Sequence, residues 1–410
     1  MNVKILLRTD IDSPSGYSAH ARQLVQSLLL IEEVDLKIEP RKHDTATVPF
    51  GAAEQELYHR LTSKEWVRPD ILIHFETPEF YEPLKDCFNI GFTMWETTNI
   101  PSTDMDGQPR MNWVHQMNQM DEIWTAATDA ETAFGASGVK TPVRIFSGPI
   151  DTDLYKPDLP ELAIRGLTVD SAGERIERKN RPFVIGFMGQ WTKRKNIEDW
   201  LLWLMSQFKK GETIGLIKTY GSHMTGDQTQ AVHQRIGLAR QQIRGVQDGA
   251  GINLITNKLS DQDIARWFQT PDMYVSFSRG EGFALPVVQA MSSGCVVAHT
   301  AFGGPRDYIR HGENGYLLPC SLEPVTGMIY NPWYRADQWW ARVDMGAATK
   351  IIVDAMKYRE KDPVFWSTMQ EDARETIIQK CSIQAIATQL AKRFAELYDA
   401  GLVQLTAAPE

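Results

Sequence analysis

Cysteine is scarce in this sequence, and the few cysteines are scattered along it. The four are Cys87, Cys295, Cys320 and Cys381, and no two of them form a Cys-x-x-Cys pair. This spacing argues against a disulfide framework and against a cysteine-bound zinc ion, and it indicates free thiols in a reducing compartment. We therefore expect a cytoplasmic protein.

Long apolar segments are also absent. No apolar run approaches the ~20 residues that a membrane-spanning helix requires, and the first residues lead straight into a predicted strand. We therefore expect no transmembrane segment and no secretion signal. A peripheral membrane contact stays open, although no basic amphipathic helix supports it.

Positive charge is not in excess either. The formal net charge is −9, which argues against broad affinity for nucleic acids but leaves room for a local basic groove. The hydrophobic content of 42% and the charged content of 23% are ordinary for a soluble globular protein, and 410 residues suffice for two domains with full cores.

The loop after the first predicted strand lacks the dinucleotide fingerprint. The strand Val3 to Leu7 is followed by a loop in which Gly16 is the only glycine, whereas a dehydrogenase needs G-x-G-x-x-G at this point. Strand, glycine-bearing loop and helix still predict the first βα unit of a Rossmann-like domain. Asp10 and Asp12 in this loop are interpreted as turn formers rather than metal ligands.

Short apolar runs alternate with helical patterns along most of the chain, which predicts an α/β fold with parallel sheets. The predicted strands are Val3 to Leu7, Val34 to Ile38, Ile71 to Phe75, Asn89 to Met94, Asp121 to Ala126, Val143 to Phe146, Phe183 to Met188, Thr213 to Thr219, Ile252 to Ile255, Met273 to Phe277 and Cys295 to Ala298. Near the end, helices are predicted at Gln338 to Lys357, Pro363 to Gln379 and Ser382 to Ala400.

A shift in composition separates two halves of the chain. Lys156 to Asn180 carries prolines and the start of a mixed-sign charge cluster and lacks apolar periodicity, which predicts a linker with an exposed loop. The predicted divisions are an N-terminal domain at 1–160, a linker at 161–181, a second domain at 182–362 and C-terminal helices at 363–410.

The most informative stretch runs from Ser276 to Tyr316. In it a strand leads into the tight loop Arg279-Gly280-Glu281-Gly282, a helix follows from Leu285 to Met291, and the next strand leads into Gly303-Gly304. Glycine-bearing loops at the carboxyl ends of strands are where doubly wound sheets bind nucleotides and phosphates.

This stretch resembles the donor-binding signature of GT-B glycosyltransferases, specifically the retaining family often called family 4. The matching residues are Glu281, Gly282, Phe283, Leu285, Pro286, Ala290, Met291, Gly294, Val296, Val297, Gly303, Gly304, Asn314, Gly315 and Tyr316. The resemblance implies two Rossmann-like, doubly wound domains that face a cleft, and a C-terminal helix that crosses back to the first domain.

A second match follows the strand Phe183 to Met188. The family places basic residues here to hold the donor's diphosphate; Arg194 and Lys195 align with them, while Gln190 replaces the family's first arginine. Fixed cations stabilise the charge that develops on a diphosphate leaving group. Cations at a helix N-terminus oppose its dipole, which favours an anion between them.

The resemblance also implies the remaining donor contacts. Glu281 corresponds to the acid that contacts the transferred sugar, and Gln289 stands where the family has a glutamate that binds the ribose, so one acceptor oxygen is kept and the charge is lost. The implied donor-binding residues are Gly16, Gln190, Arg279, Gly282, Phe283, Ala284, Leu285, Gln289, Asn257 and Leu259.

Two residues at strand ends in the N-terminal half are candidates for contacts with the sugar or the acceptor. His74 ends one predicted strand, and Glu96 lies in a W-E-T-x-x-x-P segment after the next. The alternatives are a satisfied strand-end histidine and a loop cap. With Lys195, Arg194 and Glu281, they complete the predicted catalytic set.

The predicted function is transfer of a sugar from a nucleotide-diphospho-sugar, most simply a UDP-sugar, to a hydroxyl acceptor with retention. The acceptor would be a glycan, a lipid-linked sugar or a small molecule, and neither a metal nor a cofactor besides the donor is expected. Two alternatives stay open. One is a virus-type enzyme acting on hydroxymethylated bases in DNA, and the other is a non-catalytic relative that binds sugar nucleotides, which the changes at Gln190 and Gln289 permit.

Overall fold

The computed structural model describes residues 3–42, 47–48, 50–65, 68–104, 107–221, 228–243 and 249–403. It divides the chain into two compact units. The first comprises Met1–Asp151 with Gln379–Glu410, and the second comprises Thr152–Ile378. Residues 404–410 of the predicted C-terminal segment lie outside the described residues.

The first unit contains a six-stranded sheet in the order β2-β1-β3-β4-β5-β6, in which every pair of neighbours is parallel. Its strands are β1 (Val3–Thr9), β2 (Val34–Pro40), β3 (Ile71–Phe75), β4 (Phe88–Phe92), β5 (Glu122–Thr125) and β6 (Val143–Ile145). Its first helices are α1 (Gly16–Leu29), α2 (Ala52–Thr62), α3 (Trp113–Met117) and α4 (Thr128–Ser137). All residues of β3 are buried, as expected for a strand covered on both faces.

The second unit also contains a six-stranded parallel sheet, in the order β12-β11-β10-β7-β8-β9. Its strands are β7 (Phe183–Trp191), β8 (Thr213–Gly221), β9 (Gly251–Ile255), β10 (Met273–Ser276), β11 (Val296–Thr300) and β12 (Tyr316–Leu318). Its helices are α5 (Ile197–Gln207), α6 (Gln228–Gln241), α7 (Asp261–Phe268), α8 (Leu285–Ser292) and α9 (Met345–Lys361), and α10 (Pro363–Cys381) leads out of it.

An antiparallel hairpin follows this sheet along the chain. It is formed by β13 (Cys320–Pro324) and β14 (Trp339–Val343). The helix predicted to begin at Gln338 begins instead at Met345, so its first residues were assigned wrongly. Residues 339–343 form strand β14 instead, since Trp340 pairs with Glu323 and Ala341 with Leu322. The local sequence around Gln338 does not reveal this pairing, because β13 lies more than ten residues earlier in the chain.

The last helix, α11 (Ile383–Asp399), belongs to the first unit, as the fold prediction required. It packs apolar side chains into the core of that unit; these are Ile386, Ala387, Leu390, Phe394 and Leu397. Arg393 of the same helix is ion-paired with Glu122 of β5, which is only 2% exposed. Packing and charge together hold this helix on a unit that is otherwise built from the beginning of the chain.

Residues 161–181, predicted to form a linker, lie within the second unit. Arg178 donates hydrogen bonds to Asp272 at 2.9 Å and to Glu161 at 3.1 Å, and Arg181 also pairs with Glu161. The predicted first domain likewise ends at Asp151 rather than at residue 160. Two arginines of the mixed-sign cluster therefore pair with carboxylates of the second unit, and the structure does not support a linker there.

Within the described ranges, no helix combines the length and the apolar character that crossing a bilayer requires.

Candidate functional site

The sheet of the second unit brings two of the predicted loops together. Its strand order changes direction between β7 and β10, and loops that leave the carboxyl ends of two such strands flank a crevice. One loop runs from Thr192 to Asn196 and the other from Phe277 to Ala284. The amide of Arg279 donates to the carbonyl of Arg194 at 2.8 Å, so the backbones of the two loops are in direct contact.

Arg194, Lys195 and Glu281 meet at this point, and we call them the charged cluster. Lys195 Nζ lies 2.6 Å from Glu281 Oε1 and 2.8 Å from Oε2, and Arg194 Nη1 lies 3.1 Å from Oε2. Ser278 Oγ donates to Glu281 Oε1 at 2.6 Å. Two cations and one carboxylate give the charged cluster a net charge of +1, which suits an anionic ligand.

The pKa of Glu281 is set by two opposing effects. Burial alone would raise it, but Lys195 and Arg194 outweigh burial and lower the pKa from 4.5 to about 2. Because the folded-state pKa lies below the unfolded value, this group stabilises the fold above about pH 4.5, and that contribution is lost as the pH falls towards 2. Glu281 is therefore ionised and accepts hydrogen bonds at neutral pH.

Gly303 and Gly304 let the loop after β11 lie against the loop that carries Glu281. A Cβ on Gly303 would stand 2.3 Å from the carbonyl oxygen of Glu281, and one on Gly304 would stand 2.6 Å from that of Gly282. Gly303 also has φ 77° and ψ −160°, a conformation that is essentially restricted to glycine. The amide of Gly304 donates to the Glu281 carbonyl at 2.8 Å.

We expect Gly303→Ala to lower the stability of the second unit by about 2–4 kcal/mol, because it adds both backbone strain and a clash. Gly312→Ala is the matched control. Gly312 has nearly the same φ, +79°, but a Cβ added there would meet no atom within 4 Å, so strain alone should cost about 1–2 kcal/mol. Urea unfolding of the two variants measures the difference, and equal losses would contradict the close approach.

The remaining residues of the signature form the start of α8. Ala284 is the residue before the helix and has φ 63°, a left-handed conformation that turns the chain into Leu285. Phe283 accepts a hydrogen bond from the Tyr308 hydroxyl through its carbonyl at 2.7 Å. Gln289 lies in the second turn of the helix and is 7% exposed. Gly282, Phe283 and Ala284 are likewise buried.

Three predicted donor residues lie at or beyond neighbouring strand ends. Gln190 is the penultimate residue of β7 and is half-buried. Asn257 and Leu259 follow β9, at the edge of the sheet; Asn257 is exposed and its amide donates to the Lys258 carbonyl at 3.3 Å. The structure does not bring Asn257 or Leu259 into hydrogen-bonding contact with the charged cluster.

Lys218 lies on β8, beside the site-bearing strand β7, and was not among the predicted site residues. It is paired in register with Met188, two residues before Gln190, and only 9% of it is exposed. Among the residues that the structure describes, no carboxylate pairs with its ammonium group, which lies 5.6 Å from the ring centre of Tyr220. A lysine within the apolar run Ile214 to Tyr220 was the signal that could have identified it.

Burial lowers the pKa of Lys218 from 10.5 to about 8. Because the folded state binds this proton less tightly than the unfolded state, stability should rise with pH between about 8 and 10.5. We expect Lys218→Met to remove that rise and to stabilise the protein by about 1–3 kcal/mol at pH 7. Thermal unfolding of both proteins from pH 7 to 10.5 measures this, and a destabilised variant would show that the charge has a partner.

Arg279 was predicted to contact the donor, and in the structure its guanidinium has partners within the protein. Its guanidinium Nη2 donates to Asn196 and to Asp199, each at 3.1 Å, and Nη1 is ion-paired with Glu323. The side chain is 5% exposed. These partners pair the charge of the buried guanidinium, although its Nε and Nη1 form no hydrogen bond with the described residues.

In the first unit, His74 is also occupied by the protein. It is completely buried; its Nε2 accepts from the Glu82 amide at 3.2 Å, and its Nδ1 lies 3.3 Å from the Glu76 carboxylate. Both ring nitrogens therefore have protein partners, which contradicts the predicted contact with a sugar or an acceptor. The alternative of a satisfied strand-end histidine explains the observation.

Gly16 and Glu96 both lie in the first unit, where Gly16 is next to Tyr17 and Glu96 is near the Tyr17 side chain. Gly16 is exposed at the first position of α1, and a Cβ there would meet no atom within 4 Å. The hydroxyl of the adjacent Tyr17 accepts a hydrogen bond from the Met94 amide at 2.9 Å. The pKa of Tyr17 is raised, mainly by burial and to a smaller extent by the nearby negative charge of Glu96. Glu96 itself is half-buried.

Asp10 acts as a turn former. Its Oδ1 accepts from the amides of Asp12 and Ser13, each at 3.2 Å. Over the described part of the chain, no group of three histidine, cysteine or acidic side chains is arranged to hold a metal ion.

Comparison with known proteins covers both the second unit and the whole chain. Residues 182–325, about a third of the chain, match a family model described as "Glycosyl transferases group 1". N-acetyl-alpha-D-glucosaminyl L-malate synthase of Bacillus anthracis is 28% identical over 132 residues, which span 32% of this chain and 28% of that protein. The matched region spans 13–28% of the length of the curated relatives that the chain matches.

Two solved structures superpose on nearly the whole chain. HepE of Anabaena, in complex with UDP and glucose, has a TM-score of 0.62 at 15% identity and covers 97% of this chain and 100% of its own. Sucrose-phosphate synthase of Thermosynechococcus elongatus has a TM-score of 0.61 at 15% identity with the same coverage. The likeness to these structures shows that the chain has the GT-B fold. The charged cluster lies within residues 182–325, the part of the chain that the family model matches.

Proposed function

We propose that this protein transfers a sugar from a nucleotide-diphospho-sugar to a hydroxyl group of an acceptor. The observation that carries the proposal is the charged cluster, which places two cations and a carboxylate between the loops after β7 and β10. A nucleoside diphosphate leaving group is a multivalent anion, and a net positive cluster at this crevice suits it.

UDP is the proposed nucleotide. The support comes from HepE, which has the same fold and was solved with UDP and glucose. GDP and ADP are competing outcomes of the test below. The acceptor is proposed to be a sugar or glycan hydroxyl, and no comparison favours a DNA base.

The chemistry assigned to the charged cluster is stabilisation of the leaving group. The bond between the anomeric carbon and the β-phosphate oxygen breaks, its electron pair stays on that oxygen, and Lys195 and Arg194 donate hydrogen bonds to the diphosphate. The acceptor oxygen forms the new bond to the anomeric carbon, and its proton passes to the departing phosphate oxygen. The acceptor attacks the anomeric carbon from the face that the diphosphate leaves, so the anomeric configuration is retained.

Glu281 is proposed to accept hydrogen bonds from hydroxyls of the transferred sugar. Its low pKa keeps it ionised, so it can act as an acceptor but not as a proton donor at neutral pH. Gln289 is proposed to contact the ribose as a neutral acceptor, and Gly16 and Glu96 remain the candidates on the acceptor side. Positive charge from two side chains also supports a metal-independent reaction, which predicts full activity in EDTA.

The test is a donor panel with the purified protein. UDP, GDP and ADP are first compared by thermal shift, since a ligand at a hundredfold its Kd adds about 2.7 kcal/mol to stability. Matching nucleotide-sugars are then assayed for nucleotide release with and without simple sugar acceptors, and the anomeric configuration of any product is determined by NMR. A shift with UDP and release of UDP support the proposal. Failure of all three diphosphates to shift the transition would overturn it.

A further inference from the structure

The hairpin β13–β14 contacts the loop that carries Glu281 at Arg279. The amide of Ala341 on β14 donates to the Arg279 carbonyl at 2.7 Å, and the guanidinium carbon lies 5.8 Å from the ring centre of Trp340. Glu323 on β13 pairs with the same guanidinium. Only β13 lies inside the region 182–325 that the family model matches, so β14 is outside it.

On its other side, Arg279 contacts the residue next to Lys195. Asn196 precedes α5, has φ 56° and ψ 36°, and is 4% exposed. Asparagine is among the few residues that adopt this left-handed conformation readily. Its side chain does not cap the helix; instead its Oδ1 accepts from Arg279 at 3.1 Å. Without Arg279, this buried oxygen would lose its donor, and the turn that directs Lys195 would lose a contact.

The charge around Arg279 also differs from that of the charged cluster. Arg279, its partners Asp199 and Glu323 and the nearby Arg342 carry no net charge together, whereas the charged cluster carries +1. A phosphate is therefore attracted more strongly to the charged cluster than to the surroundings of Arg279. Burial leaves the guanidinium little contact with solvent in which to exchange partners.

We infer that Arg279 is a positioning residue, which joins the hairpin β13–β14 to the Asn196 turn and so holds Lys195 and Glu281 at the distance they need for a diphosphate. The inference rests on the proposed function for its ligand. It also makes the hairpin part of the support of the site.

Glu323→Gln distinguishes phosphate binding by Arg279 from positioning by Arg279, because the two roles predict opposite changes in UDP affinity. If Arg279 bound phosphate, removing a competing carboxylate would leave UDP affinity unchanged or raise it. If Arg279 positions the loops, the same change weakens its hold, and we expect UDP affinity to fall about tenfold, as for the loss of one charge-assisted hydrogen bond. Glutamine is isosteric with glutamate, and 28% of the Glu323 side chain is exposed, so this variant should fold.

Arg279→Met should shift affinity in the same direction and lower kcat by about 10–100-fold with a smaller change in KM, because displaced groups are felt most in the transition state. Combining it with Glu323→Gln should add little, since both act through one contact. Glu313→Gln, an exposed carboxylate elsewhere in the second unit, is the matched control and should change neither quantity.

Amide hydrogen exchange at residues 192–196 gives a readout that does not depend on UDP. We expect faster exchange there in both Glu323→Gln and Arg279→Met, but not in Glu313→Gln. Unchanged exchange, or UDP affinity that rises in Glu323→Gln, overturns the inference. If the unaltered protein fails to bind any nucleoside diphosphate, the proposed function fails, and the exchange data still decide the role of Arg279.

Discussion

Replacing Lys195 with alanine should abolish the thermal shift produced by UDP and lower kcat by about 10²–10³-fold. Its ammonium group lies 2.6–2.8 Å from both oxygens of Glu281, at the crevice between β7 and β10. Removing it takes the net charge of the charged cluster from +1 to 0. Arg194 still pairs with Glu281 at 3.1 Å, so the fold should survive while the attraction for a diphosphate is lost.

Lys193→Ala is the matched control, because it makes the same chemical change two residues away in the same loop. Lys193 is exposed. We expect it to retain the UDP shift and most of the turnover. UDP affinity is measured by calorimetric titration for the unaltered protein, Lys195→Ala and Lys193→Ala, and the turnover of the nucleotide-sugar donor is then compared among the same three proteins. An unaltered UDP affinity in Lys195→Ala would remove Lys195 from the site.

Arg393→Met should lower the stability of the first unit by about 3 kcal/mol. Arg393 Nε donates to Glu122 Oε1 at 3.1 Å, and Glu122 is 2% exposed. Breaking a buried pair costs about 3–5 kcal/mol because a charge is left behind, and the lower value applies since Arg144 also reaches Glu122, at 3.1 Å. Calorimetry should show a fall in melting temperature of about 6–12 °C.

Glu396→Gln tests whether burial is the cause. Glu396 is the other partner of Arg393, but 43% of its side chain is exposed, so its loss should cost less than about 1 kcal/mol. Adding Glu122→Gln to Arg393→Met should recover part of the loss, because the unpaired charge is then gone. A double variant that is less stable than Arg393→Met alone would contradict this account.

The fold was predictable because its signals are local. Eleven apolar runs, each followed by a loop and most of them by a helix, match eleven of the twelve strands of the two sheets within a few residues. The twelfth, β12, has only three residues, too few for a pattern. The hairpin β13–β14 was missed for a different reason: fourteen residues, 325–338, separate its strands, so no short turn signals the pairing.

The charged cluster was predictable from motif and spacing, since Lys195 and Glu281 were both named and the structure brings them within 2.6 Å. Two other predicted site residues have partners within the protein that no motif indicated. Arg279 was assigned to the donor, but Glu323 and Asp199 hold it. His74 was assigned to the acceptor, but the Glu82 amide binds it. A sequence shows which side chain is present, whereas its partners depend on tertiary packing.

The position of α11 has a consequence for how the chain folds during synthesis. The core of the first unit includes Leu390, Phe394 and Leu397, which leave the ribosome about 240 residues after Asp151, some tens of seconds later at ~5–20 residues per second. During that interval the nascent first unit exposes the apolar groove that these side chains will fill, while the second unit can complete its own sheet. The unit made first is thus the one finished last, and a fragment ending at Asp151 should aggregate rather than fold.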